Sequence, residues 1–247
     1  MNSLVKREDL DGICVLTLNR PDVLNALNME MFITLRRQID SIYQSADAVK
    51  CVVLRGAGRS FCAGADLKAL KHLSIDDPPS TFEPETITAF ANLPQPTIGM
   101  IHGHCYTGGL ELALAADILI AAGGTRFADT HVKWGLCSAW GMTHRLPRRI
   151  GLSKAKDMMF SAREVEAHEA LAMGLVDRVL APETLEQETL ALAKSIVGNA
   201  PRAVQWSKRT IEACARRPQD ALALERVDHP GVGTEFQIRL SGEKWNE

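Results

Sequence analysis

Residues 50–67 read KCVVLRGAGRSFCAGADL. An apolar, β-branched run passes through Gly-Ala-Gly into a stretch where no bulky side chain follows Phe61 until Leu67. The first half is strand-like. The second half keeps its side chains so small that something must come close to its main chain.

The same kind of element recurs on either side. GICVLTLN (12–19), PTIGMIHG (96–103) and DILIAAGG (117–124) read as strands, and NMEMFITLRRQIDSIYQSA (28–46) has helical spacing at Met31, Leu35, Ile39 and Ile42. GGLELALAA (108–116) reads as a short apolar helix. Strands and helices therefore interleave, as in α/β folds. Beyond residue 150 the pattern is helical in LSKAKDMMFSAR, EVEAHEALAMG, ETLEQETLALAKSIVGNA and PRAVQWSKRTIEACARR, with LVDRVL (175–180) as one intervening strand. IDDPPSTFEPE (75–85), with three prolines, reads as a mobile loop.

Composition excludes several classes. At 247 residues, 46% hydrophobic and net charge -2, the chain is globular and carries no basic stripe for a phosphate backbone, so nucleic acid is not an expected partner. No apolar run approaches the roughly 20 residues of a membrane span, and the N-terminal MNSLVKREDLDG lacks a signal core. A soluble, cytoplasmic protein without a membrane partner is expected. Cys14, Cys51, Cys62, Cys105, Cys137 and Cys214 form no Cys-x-x-Cys pair and read as reduced, buried thiols.

Several motifs fail. GAGRSF places Phe61 where a dinucleotide fingerprint needs its third glycine, GRSFC closes a nucleophile elbow with Cys62 in place of Gly, and no phosphate loop occurs. His102, His104 and Cys105 have no second cluster at ligand spacing, so they read as packed or hydrogen-bonded residues and no metal is expected. What remains is a pair of strand-to-helix turns, SFCAGADL (60–67) and HGHCYTGGLELALAADI (102–118), each placing Gly and Ala where main-chain N–H groups are unpaired. Together they could aim two donors at one oxygen and stabilise an enolate. Equally, small residues there could serve tight helix–strand packing alone.

LNRPDVLNALNMEM (18–31), VVLRGAGRSFCAGADLKAL (52–70), IHGHCYTGGLELALAADILIA (101–121), RFADTHVKWGL (126–136), RLPRRIG (145–151) and EAHEALAMGLVDRVLAPETL (166–185) resemble, in order and spacing, the enoyl-CoA hydratase/isomerase (crotonase) family. The resemblance covers roughly residues 3–215. It implies an α/β spiral of strand-strand-helix turns over residues 1–186 that binds acyl-CoA, and a helical oligomerisation region over 187–247 that forms homotrimers or homohexamers. The implied ligand is an acyl-CoA thioester, coenzyme A being part of the substrate and no separate cofactor being needed.

By family position the N–H groups of Ala65 and Gly108 are the carbonyl donors. Ala63, Ala65, Asp66, Leu67 and Lys68, with Ala26 from the Asp22–Ala26 turn, would follow the adenine and pantetheine portions. In the family's hydratases two glutamates hold one water. Glu111 matches the first, and the apolar GGLELALAA around it also favours a functional carboxylate. His131 stands at the position of the second. A histidine can exchange protons near neutral pH, or it can be structural. Glu111 at the first hydratase position makes an enoyl-CoA hydratase the expected activity; the alternatives are an isomerase using Glu111 alone and a non-catalytic acyl-CoA binder, which would have no reason to bury a carboxylate. Leu70, Phe82, Phe90, Trp134 and Trp140 are candidates for lining the acyl pocket, and the tail 227–247 departs from the family pattern.

Overall fold

The computed structural model describes residues 3–45, 48–70 and 80–216. Nine strands are described: β1 (Val5–Leu10), β2 (Ile13–Leu18), β3 (Cys51–Gly56), β4 (Thr97–Ile101), β5 (His104–Tyr106), β6 (Ile118–Ala122), β7 (Arg126–Ala128), β8 (Val165–Glu166) and β9 (Arg178–Leu180). The helices are α1 (Met29–Gln44), α2 (Leu67–Leu70), α3 (Phe82–Ala91), α4 (Gly108–Ala113), α5 (Met142–Ile150), α6 (Leu152–Ser161), α7 (Ala167–Met173), α8 (Leu185–Val197) and α9 (Pro201–Arg216). Single 3-10 turns occupy Pro21–Val23 and His131–Trp134.

The main sheet has the order β1-β2-β3-β4-β6-β9, antiparallel at β1/β2 and parallel elsewhere. Its central strands are buried on both faces, which is why they read as continuous apolar runs rather than alternating ones. Leu16, Leu18, Val52 and Leu54 join the larger core with Phe32, Leu35 and Ile39 of α1. Val15, Val53, Ile98 and Ile120 point to the other face, where Leu185 and Ala193 of α8 cover them. α8 thus spans the expected 186/187 boundary while packing on the sheet.

The α1 helix starts where its sequence provides a cap: the Asn28 side chain accepts the Met31 N–H at 3.0 Å. Its expected core positions Met31, Leu35, Ile39 and Ile42 are all buried. The expected loop 75–85 needs correction from residue 82 onward, because α3 begins there. Pro84 sits in the first turn, where proline is tolerated, and Ile87 and Phe90 anchor the helix by full burial. Residues 71–79 and the tail 227–247 lie outside the described residues. A second correction concerns 164–174, where Val165–Glu166 is a strand paired with β7 and the helix begins only at Ala167.

The smaller sheet has the order β5-β7-β8, with β5 and β7 parallel. Its strands are too short to show a period in sequence, yet they organise the site. Cys14, Cys51, Cys62 and Cys105 are buried free thiols, whereas Cys137 is exposed, contrary to expectation. It follows a surface turn, away from any strand. Among the described residues no helix is long and apolar enough to cross a membrane.

Candidate active site

Three chain segments run parallel and end side by side. Cys62 bridges to Cys105 in parallel fashion, and Cys105 pairs in turn with Phe127. The Cys62 N–H donates to the His104 carbonyl at 3.0 Å, Tyr106 N–H to the Cys62 carbonyl at 3.0 Å, and Thr107 N–H to the Ala128 carbonyl at 2.8 Å. The residues that follow, Gly64-Ala65, Gly108 and Asp129-Thr130-His131, therefore emerge at a common edge. This is the carboxyl end of parallel strands, where α/β folds place ligands.

The close packing at that edge answers the question raised by the small side chains. Gly64 has φ 107°, and a Cβ there would stand 2.5 Å from Thr107 Oγ1. A Cβ on Gly108 would meet Trp140 Cζ3 at 2.4 Å and the Ala65 N at 3.4 Å. The object close to each main chain is the other turn. The Leu27 N–H donates to the Gly64 carbonyl and the Asp66 N–H to the Leu27 carbonyl, both at 2.8 Å. Ala65 lies between these two bonds, so its own N–H is directed to the opposite side. Gly108 opens α4, where N–H groups have no intrahelical acceptor. Thr107 before it adopts φ 46° and ψ -116°, a strained geometry that turns the chain into the helix. Packing and donor placement are thus one arrangement.

Glu111 lies one turn into α4 and is fully buried. Its Oε1 accepts the N–H groups of Trp140 at 2.8 Å and Met142 at 3.1 Å. Its Oε2 has no hydrogen-bond partner. Burial pushes the carboxyl above its ordinary range, opposed by the His131 charge and the two N–H donors.

Glu111 Oε2 faces His131. The His131 Nε2 is 3.7 Å from Glu111 Oε2, and Nδ1 is 2.5 Å from Asp129 Oδ1. Burial alone would lower the imidazole, but the hydrogen bond to Asp129 and the charges of Asp129 and Glu111 outweigh it and hold the group above its ordinary value. The structure thus brings Glu111, His131, Ala65 and Gly108 to one edge, with Asp129 beside His131.

The expected thioester-binding segment lies beside the turn that carries Ala26. Ala63 N–H donates to the Leu24 carbonyl at 2.9 Å, Arg20 Nη1 donates to the Ala26 carbonyl at 2.5 Å, and Arg20 pairs with Asp66 at 2.9 Å. Asp66 also accepts the Lys68 N–H at 3.0 Å, so its carboxylate is engaged in holding the segment. Ala26, Ala63 and Ala65 are half-buried, and Leu67 and Lys68 are exposed.

Asn25 ties these parts together. Buried and left-handed at φ 56°, it accepts the Arg20 N–H at 2.8 Å and donates to the carbonyls of Ala57 at 2.9 Å and Ser60 at 2.8 Å. Asn25→Ala is expected to lower stability by about 2 kcal/mol, because buried carbonyls lose their donors. Thermal denaturation against wild type checks this. Sequence reasoning passed over Asn25, Arg20 and Asp129. For Asp129 a signal existed in FADTHVKWG, where an acid stands two residues before the histidine.

Other candidates fall elsewhere. Phe90 is fully buried in the main core, and Trp134, at the end of the turn that carries His131, is 61% exposed. Phe82 packs partly buried against the core, and the Leu70 side chain lies outside the described residues. Trp140 stands over Gly108, its ring 5.0 Å from that of Phe32. His102 is hydrogen-bonded to the Gly58 carbonyl and His104 to Ser60 Oγ, each at 2.9 Å. Two surface cavities of about 640 and 710 Å³, one beside Arg55 and Glu186 and one beside Arg148 and Lys208, contain none of the convergent groups.

A buried carboxylate with one unpartnered oxygen, an imidazole facing it, and the main-chain N–H groups of Ala65 and Gly108 thus lie together on an α/β scaffold. The family model for enoyl-CoA hydratase/isomerase matches residues 8–229. The chain is 36% identical to the short-chain-enoyl-CoA hydratase of Clostridium acetobutylicum over 86% of this chain and 83% of the relative. The crystal structure of an enoyl-CoA hydratase from Bacillus anthracis superposes with a TM-score of 0.90 at 28% identity, covering 98% of this chain and 97% of that one. A monofunctional enoyl-CoA isomerase from Mycobacterium smegmatis superposes with a TM-score of 0.76 at 29% identity, covering 87% and 95%. The chain belongs to the enoyl-CoA hydratase/isomerase family, and the α/β fold expected from the resemblance is the one observed.

Proposed function

We propose that the protein is an enoyl-CoA hydratase, adding water across the 2,3-double bond of an acyl-CoA thioester without a separate cofactor. The observation that carries this reading is the pairing of Glu111 Oε2, which has no partner, with His131 Nε2 at 3.7 Å. In this reading the thioester oxygen takes the N–H groups of Ala65 and Gly108, and the coenzyme A portion follows Ala63–Lys68 beside Ala26. Glu111 accepts a proton from water as the water oxygen bonds to C3. Electrons of the double bond move onto the thioester oxygen, where the two N–H groups stabilise the enolate. His131 then donates a proton to C2.

An isomerase would move one proton from C2 or C4 and could use Glu111 alone; a binder would need neither group. The neighbouring isomerase fold makes the first of these the competing reading. Incubating the protein with a 2-enoyl and a 3-enoyl thioester separates them: 3-hydroxyacyl product from the 2-enoyl substrate supports hydration, and migration of the 3-enoyl bond without hydration overturns it. Turnover of neither points to a binder.

His131 makes a sharper prediction. The hydratase reading needs Glu111 ionised and His131 protonated, so kcat/KM for hydration is expected to be bell-shaped. Its acid limb lies above the ordinary carboxylate value of 4.5 and its alkaline limb above the ordinary imidazole value of 6.5. His131→Gln is expected to abolish the alkaline limb. His131→Glu restores two carboxylates and is expected to retain more hydration than His131→Gln. Equal profiles in all three proteins would assign His131 a structural role.

A further inference from the structure

We propose that Asp129 is a positioning residue: it fixes the His131 imidazole with Nδ1 toward itself and Nε2 toward Glu111, so that the Asp129–His131 pair acts as one carboxylic acid would. The inference rests on the hydratase reading and concerns how this chain manages with a histidine where a second glutamate is expected.

The geometry is restrictive. Asp129 is 1% exposed, its Oδ1 lies 2.5 Å from His131 Nδ1, and the same oxygen lies 3.3 Å from the His131 N–H. A carboxylate accepts only, so Nδ1 must carry the proton in this contact. When the imidazole is neutral, Nε2 is then the basic nitrogen, and it is the one facing Glu111 Oε2. Asp129 follows β7, which is pinned by the pairing of Ala128 with Tyr106 to β5, the strand that leads to Gly108.

Charge explains why the pair is suited to the role. A glutamic acid is neutral before it gives up its proton and singly negative afterwards. An imidazolium hydrogen-bonded to a buried carboxylate is also neutral as a unit, and singly negative once Nε2 has lost its proton. A lone histidine would instead go from positive to neutral, leaving the site with one more positive charge beside Glu111 at each stage. Asp129 restores the charge sequence of a two-carboxylate site.

Water gives one proton to Glu111 Oε2 and its oxygen forms the bond to C3; the Nε2–H bond of His131 breaks as the C2–H bond forms, and the electron pair stays on Nε2. Glu111 is then protonated and His131 neutral. Return of the proton from Oε2 to Nε2, across the 3.7 Å that separate them, resets both groups without outside donors.

The charged groups around His131 are few. Glu111 faces it from α4 and Asp129 from its own turn. Arg145 on α5 feels the charge of Glu111 and donates to the Trp140 carbonyl at 2.9 Å. Lys154, Lys156 and Asp157 lie on α6, which packs against the turn, and Lys133 lies within the turn.

The test is nitrogen NMR of histidine-labelled wild type and Asp129→Asn, with the His131 signal identified by its loss in His131→Gln, together with pH profiles of kcat and kcat/KM on a 2-enoyl thioester. In wild type the neutral imidazole is expected to carry its proton on Nδ1. In Asp129→Asn the titration and the alkaline limb are both expected to move to lower pH, and kcat for hydration to fall about 10-fold or more, since the acid loses its favoured form. An unchanged titration and profile in Asp129→Asn would overturn the proposal. So would a wild-type neutral imidazole protonated on Nε2, a result that stands even if the variant does not fold. The two readings fail separately: wild type that hydrates no enoyl thioester while showing the Asp129-dependent titration overturns the hydratase reading and supports the positioning one.

Discussion

Glu111→Gln is expected to lower kcat for hydration by about 10²-fold or more, some ~2.7 kcal/mol of barrier, with little change in binding. The substitution keeps the shape, and the remaining carbonyl oxygen can still accept the Trp140 and Met142 N–H groups that hold Oε1. What it removes is the basic oxygen that has no partner. Stability should move the other way. Burial raises the folded-state value of Glu111 above 4.5, so the folded protein favours the protonated form. The cost of ionising it is absent below the unfolded value and grows as pH rises through the folded one. Glu111→Gln escapes that cost, so its melting temperature at neutral pH should equal or exceed that of wild type, with no advantage in acid. Steady-state kinetics and calorimetry at two pH values check both halves. Wild-type turnover by the variant on both 2-enoyl and 3-enoyl thioesters would remove Glu111 from the chemistry.

Gly108→Pro is the second large effect. It deletes one of the two proposed donors, and removing one such donor costs about 10²- to 10³-fold in kcat. Any Cβ at this position also meets the Trp140 ring at 2.4 Å, so loss of activity in the proline variant alone would be ambiguous. Gly108→Ala introduces the same Cβ and keeps the N–H. Both variants are expected to be impaired by displacement of Trp140, and the proline variant to lose a further factor of about 10². Circular dichroism and the melting temperature show whether each is folded. Equal kcat in the two folded variants would remove the Gly108 N–H from the mechanism.

The local signals for the fold were strong where burial is two-sided or the helix face is long. β2, β3, β4 and β6 appear as unbroken apolar runs because α1 covers one face of the sheet and α8 the other. The α1 helix is legible from its Asn28 cap and four buried positions. β1 carries Lys6, Arg7, Glu8 and Asp9 on a mostly exposed edge and has no apolar signature. Strands β5, β7 and β8 are two or three residues long, below the length at which alternation can be seen. Val165 was hidden in a segment of helical composition because its pairing with Phe127 is a long-range contact.

For the site, the sequence by itself determined which residue types are present: glycines and alanines at two strand-to-helix turns, a glutamate in an apolar helix, and a histidine where the related pattern has a second acid. Those are properties of composition and order along the chain. Only the tertiary structure decided that the three segments end side by side, that Glu111 has one oxygen fixed and one without a partner, and that Asp129 is the residue behind His131. The reason is physical. Charge balance and hydrogen-bond direction depend on distances of a few ångströms between residues as far apart as 65, 108 and 131, and those distances are set by parallel strand pairing and close packing rather than by any local preference of the chain.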